Sequence, residues 1–102
     1  PQYKPYYGGN QQKRDSAYHQ GTVWSYWLGA YIDAVMTVRK KTGKKEAKEI
    51  IRRFQPHLQE AGIGTVSEIF DGDAPHCPRG CIAQAWSVGE LLRVCVAYNL
   101  GL

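Results

Sequence analysis

The sequence predicts an all-α protein with about three helices joined by long loops. In three segments, apolar residues recur at steps of three and four, which is the period of a helix with one buried face. The stretches between these segments are polar and carry glycine and proline, which favour turns. Helical hairpins usually need connections of roughly two to eight residues, and longer connections tend to carry function.

The composition is that of a soluble globular segment. Of its 102 residues, 43% are apolar and 22% are charged, which argues against disorder. No apolar run approaches the roughly 18 residues that a membrane span needs, so we expect no membrane partner. Three cysteines with no signal peptide before them are typical of free thiols in a reducing compartment, and a cytoplasmic location is expected. The missing initiator methionine fits a fragment as well as a complete protein.

Residues 1–21 are rich in Gly, Pro, Gln, Asn and Tyr and show no sustained period. Four tyrosines would be unusual in a disordered segment. They are Tyr3, Tyr6, Tyr7 and Tyr18. We therefore expect 1–21 to be an ordered loop.

The first predicted helix spans 22–42. Its apolar stripe consists of Trp24, Trp27, Leu28, Tyr31, Val35 and Val38. Thr22 is a suitable N-cap, and Thr42 followed by Gly43 supplies a stop at the C-terminal end.

Two further helices are predicted at 44–61 and 83–98. Pro56 should kink or divide the first of them, because proline removes a backbone donor and clashes with the preceding turn. Its inward residues are predicted to be Ala47, Ile50, Ile51, Phe54 and Leu58. In the last helix, the candidates for burial are Trp86, Leu91, Leu92, Cys95 and Val96. The polar segment 65–80 between the two helices is predicted to be a functional loop.

A cluster of positive charge accounts for much of the net charge of +4. Eight of the thirteen basic residues lie between Arg39 and Arg53. Such a cluster could contact phosphates, which leaves a nucleic-acid module as an alternative that predicts strongly salt-dependent binding. However, no aromatic residue interrupts the cluster, and basic residues near a helix C-terminus complement its dipole. We interpret the cluster as solvated helix ends and expect no nucleic-acid partner.

The first candidate for chemistry is the segment from Arg14 to Trp24. A charge pair, an amide, an imidazole and aromatic rings arrive together just before a predicted helix. Carbohydrate sites need this mixture, because aromatic faces stack on sugar rings while polar groups bind the hydroxyls. The alternative is a structural ion pair of Arg14 with Asp15 beside a tryptophan of the core.

The second candidate is the acidic segment with Glu68, Asp71 and Asp73. A carboxylate held near Ile69 and Phe70 could be partly desolvated, which would make it a better base near neutral pH. The ligand spacing and closing glutamate of an EF-hand are missing, which argues against a calcium loop. A solvated turn is the alternative.

The third candidate is the segment from His76 to Cys81. Two cysteines beside a histidine suggest zinc, but a structural site needs four ligands, and the remaining candidates follow no standard zinc spacing. Those candidates are Cys95, His19 and His57. We therefore expect no metal and no cofactor, and interpret Arg79 as a residue that binds a carboxylate or sugar hydroxyl, or that holds the loop.

Taken together, these segments resemble the C-terminal catalytic domain of the glycogen-debranching amylo-α-1,6-glucosidases. The resemblance rests on Tyr6–Gly9 (YYGG), Arg14–Asp15, Ala17–Trp24 (AYHQGTVW), Gly64–Asp73 (GTVSEIFDGD) and Pro78–Val88 (PRGCIAQAWSV). It extends through nearly the whole chain, in the family's order and with compatible spacing. Ser25 departs from the pattern, since proline is common there, and Cys77 stands where other residues are usual.

The resemblance implies that the chain is a piece of an (α/α)6 toroid whose loops form a central sugar pocket. It also implies hydrolysis of the α-1,6-linked glucose at a branch point of glycogen by two carboxylates. Glu68 is carried over as the general base, while the general acid lies upstream. The expected substrate-binding residues are Tyr18, His19, Gln20, Trp24, Asp71, Arg79, Gln84 and Trp86.

The expected partners follow from this assignment. They are glycogen or another branched α-glucan and the remainder of the catalytic domain, without which the chain should be inactive. Helices shaped to pack against absent neighbours would expose apolar area, so self-association is also expected. The alternative to an enzyme is a non-catalytic carbohydrate-binding or oligomerising helical module.

Overall fold

The computed structural model of the chain describes residues 2–101, in which helices make up most of the regular structure. The helices are α1 (Gln11–Ala17), α2 (Trp27–Phe54), a short 3-10 helix (Gln55–Gln59) and α3 (Ala85–Tyr98). The strands are β1 (Val23–Trp24), β2 (Ile69–Phe70) and β3 (Pro78–Arg79). They form an antiparallel sheet in the order β1-β2-β3. The all-α prediction is confirmed, and the small sheet is an addition to it.

The segment expected to be a loop at 1–21 contains the helix α1. Asn10 caps this helix, because its side-chain oxygen accepts a hydrogen bond from the backbone N–H of Lys13 at 3.0 Å. Ala17 is the buried residue of α1. A helix with so little buried surface has no apolar period, which is why the sequence pattern did not predict it.

Helix α2 begins at Trp27, five residues after the predicted start at Thr22. Val23 and Trp24 instead pair with β2, where Trp24 lies opposite Ile69. The Thr22 side chain does not cap the helix, because its hydroxyl donates to the carbonyl oxygen of Tyr18 at 2.7 Å. Pairing with a distant strand therefore overrides the local helical pattern.

The chain of α2 folds sharply at Lys40, whose backbone is non-helical with φ 45° and ψ −115°. A Cβ atom placed on Gly43 would lie 2.7 Å from the carbonyl oxygen of Val35. Residues eight apart in a straight helix are separated by about 12 Å along the axis, so the two halves of α2 turn back on each other. The predicted division into two helices corresponds to these halves, with the break at Lys40 instead of Thr42.

The second half of α2 ends at Phe54, two residues before Pro56. The chain continues as the 3-10 helix, with Pro56 in its first turn. This agrees with the predicted interruption, since proline is tolerated where the backbone N–H needs no helical partner. The helical conformation then ends at Gln59, close to the predicted boundary at 61.

The core lies between α2 and α3. It consists of Ile32, Ala47, Ile51, Val66, Leu91, Val94, Cys95 and Leu100. At its edge, Asp33 of α2 accepts hydrogen bonds from Arg93 at 2.7 Å and from the Tyr98 hydroxyl at 2.7 Å. These contacts dock α3 along the first half of α2.

Several residues predicted to be buried are exposed. In α3, Leu91 and Cys95 are buried, but Trp86, Leu92 and Val96 face outward. In α2, three residues of the predicted apolar stripe are exposed, namely Trp27, Tyr31 and Val38. Each helix therefore carries apolar residues that its contacts within residues 2–101 do not cover. Within the same range, no helix is both long and apolar enough to cross a membrane.

Candidate active site

Glu68 is a half-buried residue that lies just before β2, the central strand of the sheet. One carboxylate oxygen accepts a hydrogen bond from the Tyr18 hydroxyl. The other accepts one from the backbone N–H of Cys81 at 3.0 Å. Gly80 makes this approach possible, because a Cβ atom there would overlap the Glu68 carboxylate and because its φ of 67° favours glycine.

An aromatic wall lies next to this carboxylate, and we define it as Tyr18, His19 and Trp24. The rings of Tyr18 and Trp24 meet edge to face with centroids 4.6 Å apart. His19 stacks on Trp24 with centroids 5.1 Å apart and an angle of 1° between the ring planes. The indole N–H of Trp24 donates to the backbone carbonyl oxygen of Tyr18 at 3.0 Å, which ties the Trp24 ring to the backbone of Tyr18.

The aromatic wall continues towards α3. Trp24 lies 6.2 Å from Trp86, measured between ring centroids, and Trp86 lies 4.9 Å from Tyr26. Glu68, Tyr18, His19, Trp24 and Trp86 were all predicted as site residues, and they lie together. Tyr26 was not predicted, although its position between two tryptophans in the sequence was a signal.

The environment of Tyr18 keeps its hydroxyl a hydrogen-bond donor. Burial, followed by the hydrogen bond to Glu68, raises the pKa of Tyr18 above its ordinary value. Near neutral pH the phenol is therefore uncharged and can donate to a carboxylate. Each carboxylate oxygen of Glu68 has a further lone pair, so a water molecule can still be bound there.

Asp71 and Arg79 form an ion pair that joins β3 to the N-terminal segment. The Arg79 guanidinium donates twice to one Asp71 oxygen, at 2.9 and 3.0 Å. The other Asp71 oxygen accepts the backbone N–H of Tyr7 at 2.8 Å. Arg79 also lies over the Tyr6 ring, 5.1 Å from its centroid. Asp71 and Arg79, both predicted to bind substrate, thus make contacts that hold the loop.

The two predicted glutamines lie at different places. Gln84 precedes α3, and its side-chain oxygen accepts the backbone N–H of Ala85 at 3.1 Å. Gln20 is exposed next to His19, and its backbone carbonyl accepts the N–H of Lys4 at 3.1 Å. Gln20 is therefore the one of the pair that adjoins the aromatic wall.

Ser25, the departure from the family pattern, lies behind Glu68. Its buried hydroxyl donates to the carbonyl oxygen of Ser67 at 2.5 Å and lies 2.8 Å from the hydroxyl of Ser87 in α3. Its backbone N–H donates to the carbonyl oxygen of Glu68 at 3.3 Å. Sequence patterns did not mark Ser25 as part of the site, because its partners are more than 40 residues away.

The described residues contain no group of three or more histidine, cysteine or acidic side chains placed to hold a metal ion. Cys77, Cys81 and Cys95 are free thiols. Burial raises the pKa of the Cys95 thiol, which lies in the core. The ionisable side chains that lie together at the site are the carboxylate of Glu68, the phenol of Tyr18 and the imidazole of His19.

Sequence comparison assigns the chain to a known protein family. A family model described as amylo-alpha-1,6-glucosidase matches residues 1–93. No solved structure matches the chain. The family match covers the aromatic wall, Glu68 and most of α3, and on this basis the chain belongs to the amylo-α-1,6-glucosidase family.

Proposed function

We propose that the chain forms part of the catalytic domain of an α-1,6-glucosidase, in which Glu68 is the general base. The contact that supports this proposal most is the hydrogen bond from Tyr18 to Glu68. It joins a carboxylate to the aromatic wall, so a sugar ring lying against the wall would have its anomeric carbon near the carboxylate. Glycosidases need this proximity for a water molecule to attack the sugar.

The proposed role of Glu68 is to take a proton from the attacking water. Its two hydrogen-bond donors, the Tyr18 hydroxyl and the Cys81 amide, hold the carboxylate in one orientation. The remaining lone pairs of the carboxylate are the ones that would bind the water.

The second carboxylate, the general acid, is proposed to lie in the remainder of the catalytic domain. Asp71 is close in sequence, but both its oxygens are engaged, one by Arg79 and the other by Tyr7. Asp73 is exposed and accepts a hydrogen bond from Tyr3 at 3.0 Å. Neither residue is therefore our candidate for the general acid. We therefore propose that the chain acts within an (α/α)6 toroid and that it is inactive alone.

The proposed glucose-binding surface is the aromatic wall with Gln20 and Trp86. Trp24 stacks on His19, and Trp86 is half exposed, so aromatic surface and polar groups are available side by side. Aromatic faces bind the C–H face of a sugar ring, while the imidazole and amide can bind its hydroxyls. In this proposal Asp71, Arg79 and Gln84 act by holding the loop and the start of α3.

The test replaces Glu68 with glutamine in the protein that carries the complete catalytic domain. Glucose release from a branched limit dextrin should fall about 10²- to 10⁴-fold, the usual contribution of a general base. Asp73→Asn is the matched control, because it removes a carboxylate from the same loop and should leave the rate nearly unchanged. Full activity of Glu68→Gln would refute the assignment.

A second candidate function is binding of α-glucans without hydrolysis. The observation that favours it is that the aromatic wall is well formed, whereas the acidic residues next to Glu68 in the loop, Asp71 and Asp73, are both engaged in other hydrogen bonds. Calorimetric titration with maltooligosaccharides tests this function. Binding by a protein whose complete domain releases no glucose would favour it over the enzyme.

A further inference from the structure

His57 is a buried imidazole that the proposed mechanism does not use. It belongs to the 3-10 helix and has only 6% of its surface exposed. Two aromatic rings hold it, with centroid distances of 4.7 Å to Phe70 and 5.4 Å to Phe54. A polar ring confined in this way has a fixed orientation, so the partners of its two nitrogens have a defined geometry.

The hydrogen bonds of His57 identify its tautomer. Nε2 lies 3.0 Å from the backbone nitrogen of Ser67, which can only donate, so Nε2 must be the acceptor and carry no proton. The proton is therefore on Nδ1, which lies 3.0 Å from a carboxylate oxygen of Glu60. Glu60 thus selects the tautomer that can bind the Ser67 amide.

Ser67 immediately precedes Glu68, and both N–H groups and both carbonyl oxygens of these two residues form hydrogen bonds. The carbonyl oxygens of Ser67 and Glu68 accept from the side chain and the backbone of Ser25, at 2.5 and 3.3 Å. The Glu68 N–H donates to the carbonyl oxygen of Cys81 at 2.8 Å. The Ser67 N–H is the remaining group, and its partner is the His57 side chain. The imidazole therefore fixes the peptide between Val66 and Ser67, which lies one residue before Glu68.

We propose that His57, with its tautomer set by Glu60, is a positioning residue for Glu68. It acts through the Ser67 amide and does not touch the substrate. This role rests on the proposed function of Glu68 as general base. A buried amide without a partner would rotate or recruit water, and displacement of a catalytic group by about 1 Å can lower a rate by up to about a hundredfold.

The experiment compares His57→Gln with His57→Leu in the protein that carries the complete catalytic domain. The glutamine side-chain oxygen can accept the Ser67 N–H, whereas leucine cannot. Both variants lose the contact with Glu60, so this loss cancels in the comparison. His57→Met replaces His57→Leu if the leucine variant does not fold, because methionine adapts to irregular core spaces and also lacks an acceptor.

The leucine variant should lower kcat about ten- to a hundredfold with little change in KM, and the glutamine variant should recover most of kcat. Hydrogen exchange of the peptide covering 66–69, measured by mass spectrometry, should accelerate in the leucine variant and not in the glutamine variant. Equal losses of kcat in both variants would overturn the positioning role.

Two outcomes separate this inference from the proposed function. If wild type releases no glucose, or Glu68→Gln is fully active, the proposed function fails and the catalytic role of His57 fails with it. If wild type is active, Glu68→Gln is inactive, and exchange at 66–69 is the same in all His57 forms, the proposed function stands and only the role of His57 is overturned.

Discussion

At the scale of single residues, Tyr18 links the proposed sugar-binding surface to the proposed base. Its ring belongs to the aromatic wall, and its hydroxyl donates to Glu68. Because these two contacts use different parts of the side chain, substitution can separate them.

Replacing Tyr18 with phenylalanine removes the hydroxyl and keeps the ring. We expect kcat for glucose release by the complete domain to fall about tenfold, since a charge-assisted hydrogen bond to Glu68 is lost, while KM changes little. Tyr3→Phe is the control, because Tyr3 donates to Asp73 at the exposed edge of the loop. If KM rises while kcat stays constant, the hydroxyl serves substrate binding instead.

The pKa of Tyr18 also makes a prediction for stability. Its ordinary value is 10.0, and burial with the bond to Glu68 raises it in the folded protein. Above pH 10 the unfolded chain releases a proton that the folded protein keeps, so the free energy of unfolding should fall as the pH rises through this window. Urea denaturation between about pH 9 and pH 11 measures the slope, which should be smaller for Tyr18→Phe. Parallel slopes would contradict this.

At the scale of secondary-structure elements, the turn within α2 depends on close backbone contact. Gly43 is buried against the carbonyl oxygen of Val35 and the Cα atom of Met36. The contacts are to backbone atoms, which cannot move aside as a flexible side chain can. The fold at Lys40 therefore requires a residue without a Cβ atom at position 43.

Gly43→Ala should lower the free energy of unfolding by about 1–3 kcal/mol, the usual cost of overpacking. Gly89→Ala in α3 is the matched control, because a Cβ atom there would meet nothing within 4 Å. Alanine should stabilise that helix by roughly 0.5–1 kcal/mol, since glycine has more conformational entropy to lose. Urea denaturation of both variants measures the difference, and a neutral Gly43→Ala would show that the two halves of α2 are not tightly packed.

At the scale of the whole molecule, the outer face of α3 and one face of α2 are apolar and exposed. The outward residues of α3 include Leu92 and Val96, with 55% and 74% of their surface exposed. On α2, Trp27 and Tyr31 are more than half exposed. Apolar area of this kind favours association. In the complete domain we expect neighbouring helices to cover these faces.

The 102-residue chain alone should therefore self-associate at micromolar concentration. Leu92→Glu combined with Val96→Glu should shift it towards monomer in sedimentation velocity experiments, because charge opposes burial of the face. Ile63→Glu is the control, since Ile63 is 84% exposed but lies in a loop outside the helix faces. A compact wild-type monomer would contradict the prediction.

The sequence by itself determined the helical class, the interruption at Pro56 and the family motifs. These properties arise from residues close together in the chain, where helical period, backbone restrictions of proline and motif order are all visible. It also predicted that Tyr18, His19 and Trp24 lie together, because the three lie within seven residues of each other.

Only the tertiary structure decided which partners these residues have. Glu68 meets Tyr18 across 50 positions, and Ser25 reaches Ser67 across 42. It also decided that Val23 and Trp24 join a sheet and that Leu92 faces outward. The physical reason is that an apolar period indicates a buried face without naming the neighbour that covers it, whereas hydrogen bonds between distant segments depend on the path of the whole chain.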